Sequence, residues 1–153
     1  MNWVTESPDG TYLMVVGMTE QSDSSNMDIY VAKIASSDGS ITWSMTYSTG
    51  SNNAGAETGG FMSDGGFVLG GFVDSTLTGS DLAFKSGGQV DSGTPFVGKI
   101  SASDCSGTSA PTDFEWTYTN TDTELTGSAK SLRIDSSDNV NFINCMYTGC
   151  TVY

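Results

Sequence analysis

The chain has 153 residues, with 18 acidic side chains against 5 lysines and arginines, a formal net charge of −13, 19 glycines and no histidine. That balance repels a phosphate backbone and sets nucleic acid aside as a partner; the missing histidine removes the usual general base, transition-metal ligand and pH switch together. The length suits one ordinary core, and the longest apolar run, Tyr12 to Val16, falls far short of the ~20 residues of a helical membrane span.

Short runs of Tyr, Phe, Val and Ile between Gly, Ser, Asp and Asn clusters predict strands throughout, and the long Leu/Ala/Glu/Lys stretches of helices are missing. Met1-Asn-Trp-Val has neither the basic start nor the apolar core of a signal peptide, so the expectation is a renumbered mature chain or a piece of a longer one. Trp3-Val-Thr-Glu-Ser reads as a short strand and Ser7-Pro-Asp-Gly10 as a β-turn. Tyr12 to Thr19 is apolar almost throughout, as for a strand covered on both faces. A polar loop, Glu20 to Met27, leads to the strand Asp28-Ile-Tyr-Val-Ala-Lys-Ile34, the turn Ser36-Ser-Asp-Gly39 and the strand Ile41-Thr-Trp-Ser-Met-Thr-Tyr47.

The same order then recurs, which decides the architecture before any single residue does. Unit two runs through Glu57-Thr-Gly-Gly-Phe-Met62, the turn Ser63-Asp-Gly-Gly66, the strand Phe67 to Val73, then Pro95-Phe-Val-Gly-Lys-Ile100 and Phe114-Glu-Trp-Thr-Tyr-Thr119. Tyr30-Val-Ala-Lys-Ile34 aligns with Phe96-Val-Gly-Lys-Ile100, and Ile41-Thr-Trp43 with Phe114-Glu-Trp116. Unit three has Ser128 to Ile134, the turn Asp135-Ser-Ser-Asp-Asn139 and a strand from Val140 to Thr148, with Thr151 to Tyr153 beginning a third strand. Asp9, Asp64 and Asp138 are aligned as the turn aspartates, 55 and then 74 residues apart, and the excess is assigned to the loops Asp74 to Thr94 and Ser103 to Asp113. The units are thus 1–50, 56–120 and 128–153, the last partial.

A repeat ordered as Asp-Gly-Gly turn, apolar strand to Gly, aromatic-Val-x-Lys-Ile, Asp-Gly turn and Trp strand resembles the β-propeller repeats of bacterial and algal surface proteins, and its layout is similar to kelch repeats. Gly70-Gly71 and Trp116 match the double-glycine and Trp features of kelch; unit one has Gly17 alone there, and unit three has Asn144-Cys145. The fold expected is all-β, four-stranded antiparallel blades of a β-propeller, about two and a half in this chain. A closed propeller takes 4–8 blades, so the expectation is a fragment or a subunit completed by other chains.

On that architecture Trp43 and Trp116 pack between neighbouring units, and Lys33 and Lys99 act as snorkelling edge-strand charges that discourage sheet pairing. Three cysteines leave one unpaired within the chain. Cys145 and Cys150 lie within reach of a disulfide across a hairpin, which would imply an oxidising compartment; reduced buried thiols are the alternative, and Cys105 has no assigned partner. Asp135 to Asn139 and Ser36 to Gly39 resemble calcium loops in their oxygen-bearing side chains, but Asx-turn hydrogen bonding accounts for both and is preferred. No cofactor is expected, Ca²⁺ being the one ion with candidate ligands. Glu57, Asp74, Asp81, Asp91 and Glu124 form an acidic rim with no acid pair of defined spacing.

The expected function is therefore a non-enzymatic structural or assembly module of an extracellular or cell-surface protein. The alternative is a glycan- or protein-binding module that uses the unit-two loops, with Asp74, Asp81, Asp91 and Glu124 as binding residues.

Overall fold

Three antiparallel meanders make up the structure, a computed structural model that describes residues 1–20, 27–47, 53–73, 94–119, 127–146 and 149–152. In the first sheet β1 (Trp3–Glu6), β2 (Tyr12–Glu20), β3 (Met27–Ala35) and β4 (Ile41–Tyr47) pair in sequence order. The second repeats this with β5 (Ala54–Phe61), β6 (Phe67–Val73), β7 (Thr94–Ile100) and β8 (Trp116–Thr119), and the third pairs β9 (Ser128–Ile134), β10 (Val140–Met146) and β11 (Gly149–Val152). A one-turn helix, α1 (Ala102–Ser106), lies in the β7–β8 connection, where the sequence predicted only a loop. Ser101 caps it, its side chain accepting from the Asp104 N–H.

The sheets stack in chain order. β5 packs on β1, β2 and β3, while β9 packs on β5, β6 and β7, so the second sheet is covered on both faces. This is why Phe67 to Val73 and Thr94 to Ile100 are buried at every position instead of alternating. Met14, Val16, Val31 and Trp43 of the first sheet meet Phe67, Leu69, Phe96 and Ile100 of the second. Val68, Val97 and Trp116 on the opposite face meet Ala129, Leu132, Val140 and Phe142 of the third. Each fully buried Phe, Leu or Val in these layers stabilises the stack by about 1.5–3 kcal/mol.

The hairpins correct the alignment of the third unit. In the three first hairpins the N–H of Gly10, Gly65 or Asp138 returns to the carbonyl of Ser7, Met62 or Asp135, at 2.9, 3.0 and 3.0 Å. These three residues have φ of 71°, 85° and 62°, so Asp138 stands where the other units have glycine and is not the counterpart of Asp9 and Asp64. The first hairpin also holds one residue more, since Glu6 faces Leu13 while Phe61 faces Phe67 and Ile134 faces Val140. With that shift, Gly17 and Gly71 are equivalent, opposite Tyr30 and Phe96. Trp43 and Trp116 are likewise equivalent, opposite Lys33 and Lys99.

The two lysines are not edge charges. Both lie on the third strand of a sheet, inside it, and both are buried. Cys145 is disulfide-bonded, and the β10–β11 register sets it directly opposite Cys150. Cys105 is a free thiol buried in the first core, and its burial pushes its pKa up to about 11.

Candidate functional site

The first hairpin turns of units one and two and the helix α1 meet at one end of the stack. They enclose a groove of about 420 Å³ lined by Pro8, Asp9, Tyr12, Asp64, Gly65, Ala102, Ser103 and Ser106. Its floor is the Tyr12 ring, with the Lys33 ammonium 4.2 Å from the ring centroid in a cation–π contact. Lys33 also donates to the Gly107 carbonyl at 2.9 Å, tying β3 to the segment after α1. Burial, reinforced by the charges of Cys105 and Asp9, pushes the Tyr12 hydroxyl up to about 12, so it stays a neutral phenol.

Both carboxylates at the rim are engaged. Asp9 accepts from the Ser7 hydroxyl at 2.7 Å and from the Thr11 N–H and hydroxyl at 3.1 and 2.8 Å, bonds that hold its pKa below the ordinary value. Asp64 accepts from Lys99 Nζ at 2.5 Å and from the Gly66 N–H at 2.7 Å. Lys99, only 5% exposed, has Glu115 as a second partner at 3.2 Å.

The Lys99 bond, then the Gly66 bond, lower the Asp64 pKa. Its folded pKa therefore lies below the unfolded value of about 4, so the contact stabilises the fold above that pH and the contribution is lost as pH falls through the folded pKa. Asp64→Asn is expected to lower the thermal midpoint at neutral pH and to converge with the parent at about pH 2. Unfolding curves collected across that range check this; the gap is small because the Asp64 side chain is half exposed.

Of the predicted acidic rim, Glu57 alone is described. Glu57 is bound by Lys130 at 2.6 Å, a bridge from β5 to β9. Asp74, Asp81, Asp91 and Glu124 lie outside the described residues. Two carboxylates of the calcium-like turns bond within their own turns: Asp38 accepts from the Ser40 N–H at 2.9 Å, and Asp135 from the N–H groups of Ser137 and Asn139 at 2.8 and 3.0 Å. Asp138 instead reaches the neighbouring unit, accepting from the Ser63 N–H at 2.8 Å and from its hydroxyl.

Trp43 is buried between the first and second sheets, and Trp116 is half-buried between the second and third. Sequence reasoning missed α1 and with it Ser103 and Ser106; the Ser101-Ala-Ser-Asp104 spacing, a helix-start signature, was the available signal. Chemically, the groove offers a phenol, two engaged carboxylates and two serine hydroxyls, a set suited to hydrogen bonding a polar ligand. Comparison with protein-family models, curated proteins and solved structures found no match.

Proposed function

We propose that the chain is a non-enzymatic structural or assembly module of an extracellular or cell-surface protein, built from β-propeller-type repeats. One observation carries this reading: three antiparallel meanders stack in chain order, β5 seated on β1, β2 and β3 and β9 on β5, β6 and β7, as successive blades of a propeller would pack. The sheets are not self-sufficient, because each buries its apolar face only against the next. The Cys145 disulfide supports an oxidising compartment, and the kelch-like order of glycine, lysine and tryptophan positions supports the repeat class. Partners are other protein chains, or further repeats, that continue the stack; the net charge of −13 disfavours nucleic acid. Among the described residues no helix is long and apolar enough to cross a membrane.

The groove over Tyr12 favours one second reading, a glycan- or protein-binding module. Light scattering and electron microscopy over a concentration series separate the two. Ordered polymers or rings are expected; monodisperse monomers that capture a glycan on an array would overturn the structural reading in favour of the binding one.

A further inference from the structure

Tyr12 is anchored through its backbone and its ring, but not through its hydroxyl. Its N–H donates to the Ser7 hydroxyl at 3.1 Å, and its carbonyl accepts from the Ser7 N–H at 2.8 Å. The ring meets that of Phe61 edge-on, with centroids 5.8 Å apart, and receives the Lys33 ammonium described above. Tyr12 is only 9% exposed, yet among the described residues its hydroxyl has no hydrogen-bond partner. A mostly buried phenol left unpaired beside a groove is a donor and acceptor that a bound molecule can satisfy.

Asp9 lines the same groove with one oxygen uncommitted. The Ser7 hydroxyl and the Thr11 N–H and hydroxyl all bond to its Oδ1, and among the described residues nothing bonds to Oδ2. At Asp64 both oxygens are taken, one by Lys99 and one by the Gly66 N–H. On the α1 side the Ser106 hydroxyl donates to the Ser103 carbonyl at 3.2 Å, and the Ser103 hydroxyl shares a bond with that of Ser101 at 2.9 Å. Each of these two hydroxyls keeps a lone pair with which to accept.

We propose that the groove binds a neutral hexopyranose unit of a glycan, one sugar hydroxyl donating to Asp9 Oδ2 and another accepting from the Tyr12 phenol. The inference deepens the binding reading given above, on which it rests and which left glycan and protein both open. Sugar hydroxyls donate and accept alike, as this lining requires, and the apolar C–H face of a pyranose suits Pro8 and Ala102. An anionic ligand is opposed by two carboxylates with no cationic side chain among the lining residues. A cationic ligand finds one uncommitted carboxylate oxygen, on an exposed residue, where an ion pair contributes little. The volume of about 420 Å³ lies within the range of roughly 300–1,000 Å³ usual for small-molecule sites.

The probes are the methyl α-pyranosides of glucose, galactose and mannose, titrated singly into the full chain and followed by the Ala102 methyl resonance. At least one is expected to give saturable shifts with a dissociation constant of about 10 mM or below. Tyr12→Phe, which keeps the ring and its contacts, is expected to weaken that binding about tenfold at an unchanged thermal midpoint. Ser106→Trp, at an exposed position, fills the groove and is expected to abolish binding, while Tyr118→Phe, at the other sheet interface, leaves it unchanged. Absence of saturation by all three sugars up to about 50 mM overturns the proposal and leaves the protein-binding form of the reading standing. Equal binding by Tyr12→Phe also overturns it, but leaves a glycan-binding module with its site elsewhere. Tighter binding of arginine amide than of any hexoside overturns it in favour of a basic peptide segment.

Discussion

Gly71→Ala is expected to destabilise the protein by about 3 kcal/mol or more. A Cβ at this position would stand inside the van der Waals envelope of the Gly55 carbonyl oxygen, 2.8 Å from its carbon and 2.9 Å from Ala56 Cα. These are backbone atoms, so relief requires moving a strand and cannot come from turning a side chain. The crowding arises because the β5–β6 register shifts between Ala56 and Thr58, which folds the Gly55–Ala56 peptide over Gly71. Gly60→Ala, in the same sheet, is the control: its nearest neighbour would be Ile134 Cδ1 at 3.5 Å, an ordinary contact. It is expected to be neutral or to stabilise by up to about 1 kcal/mol through the unfolded chain. Urea midpoints at unchanged m-value measure both. A Gly71→Ala midpoint equal to that of Gly60→Ala would show that β5 yields without cost.

Trp43→Ala is expected to cost about 3–5 kcal/mol, the range for emptying a buried aromatic site. Trp116→Ala, at the equivalent position, is expected to cost less than half as much, because Trp116 is only half-buried, beside a groove between β8 and β10. Trp43→Phe separates volume from polarity. The Trp43 indole N–H is buried without a hydrogen-bond partner, so removing it relieves an unsatisfied donor while leaving most of the ring volume in place. The ordering expected in denaturant unfolding is Trp43→Ala far below Trp116→Ala and Trp43→Phe. Equal losses at the two tryptophans would mean that the two interfaces bear equal weight, against the difference in their burial.

The strand order was legible because turn chemistry punctuates it: Gly10, Gly39 and Gly65 all have positive φ where the sequence placed turns. The alternation of glycine, lysine and tryptophan positions likewise located equivalent places in two units. The third unit was misaligned by one residue because an aspartate, Asp138, takes the left-handed position that glycine marks elsewhere. Lys33 and Lys99 misled for a different reason. A lysine in a strand looks like an edge residue from composition, and only the fold supplies the Asp64 carboxylate, the Tyr12 ring and the Gly107 carbonyl that make burial tolerable. The groove over Tyr12 was not legible because it joins two turns and a helix separated by tens of residues, none of which carries a motif alone.

Burying Lys33 and Lys99 has an effect on the outside of the molecule. With those two of the five cationic side chains inward and Lys130 held by Glu57, the shell that a neighbouring copy meets carries a net negative charge. Two such shells repel over the Debye length, about 8 Å at physiological ionic strength. Contact between copies is therefore opposed in dilute buffer, and the opposition weakens as salt screens the repulsion.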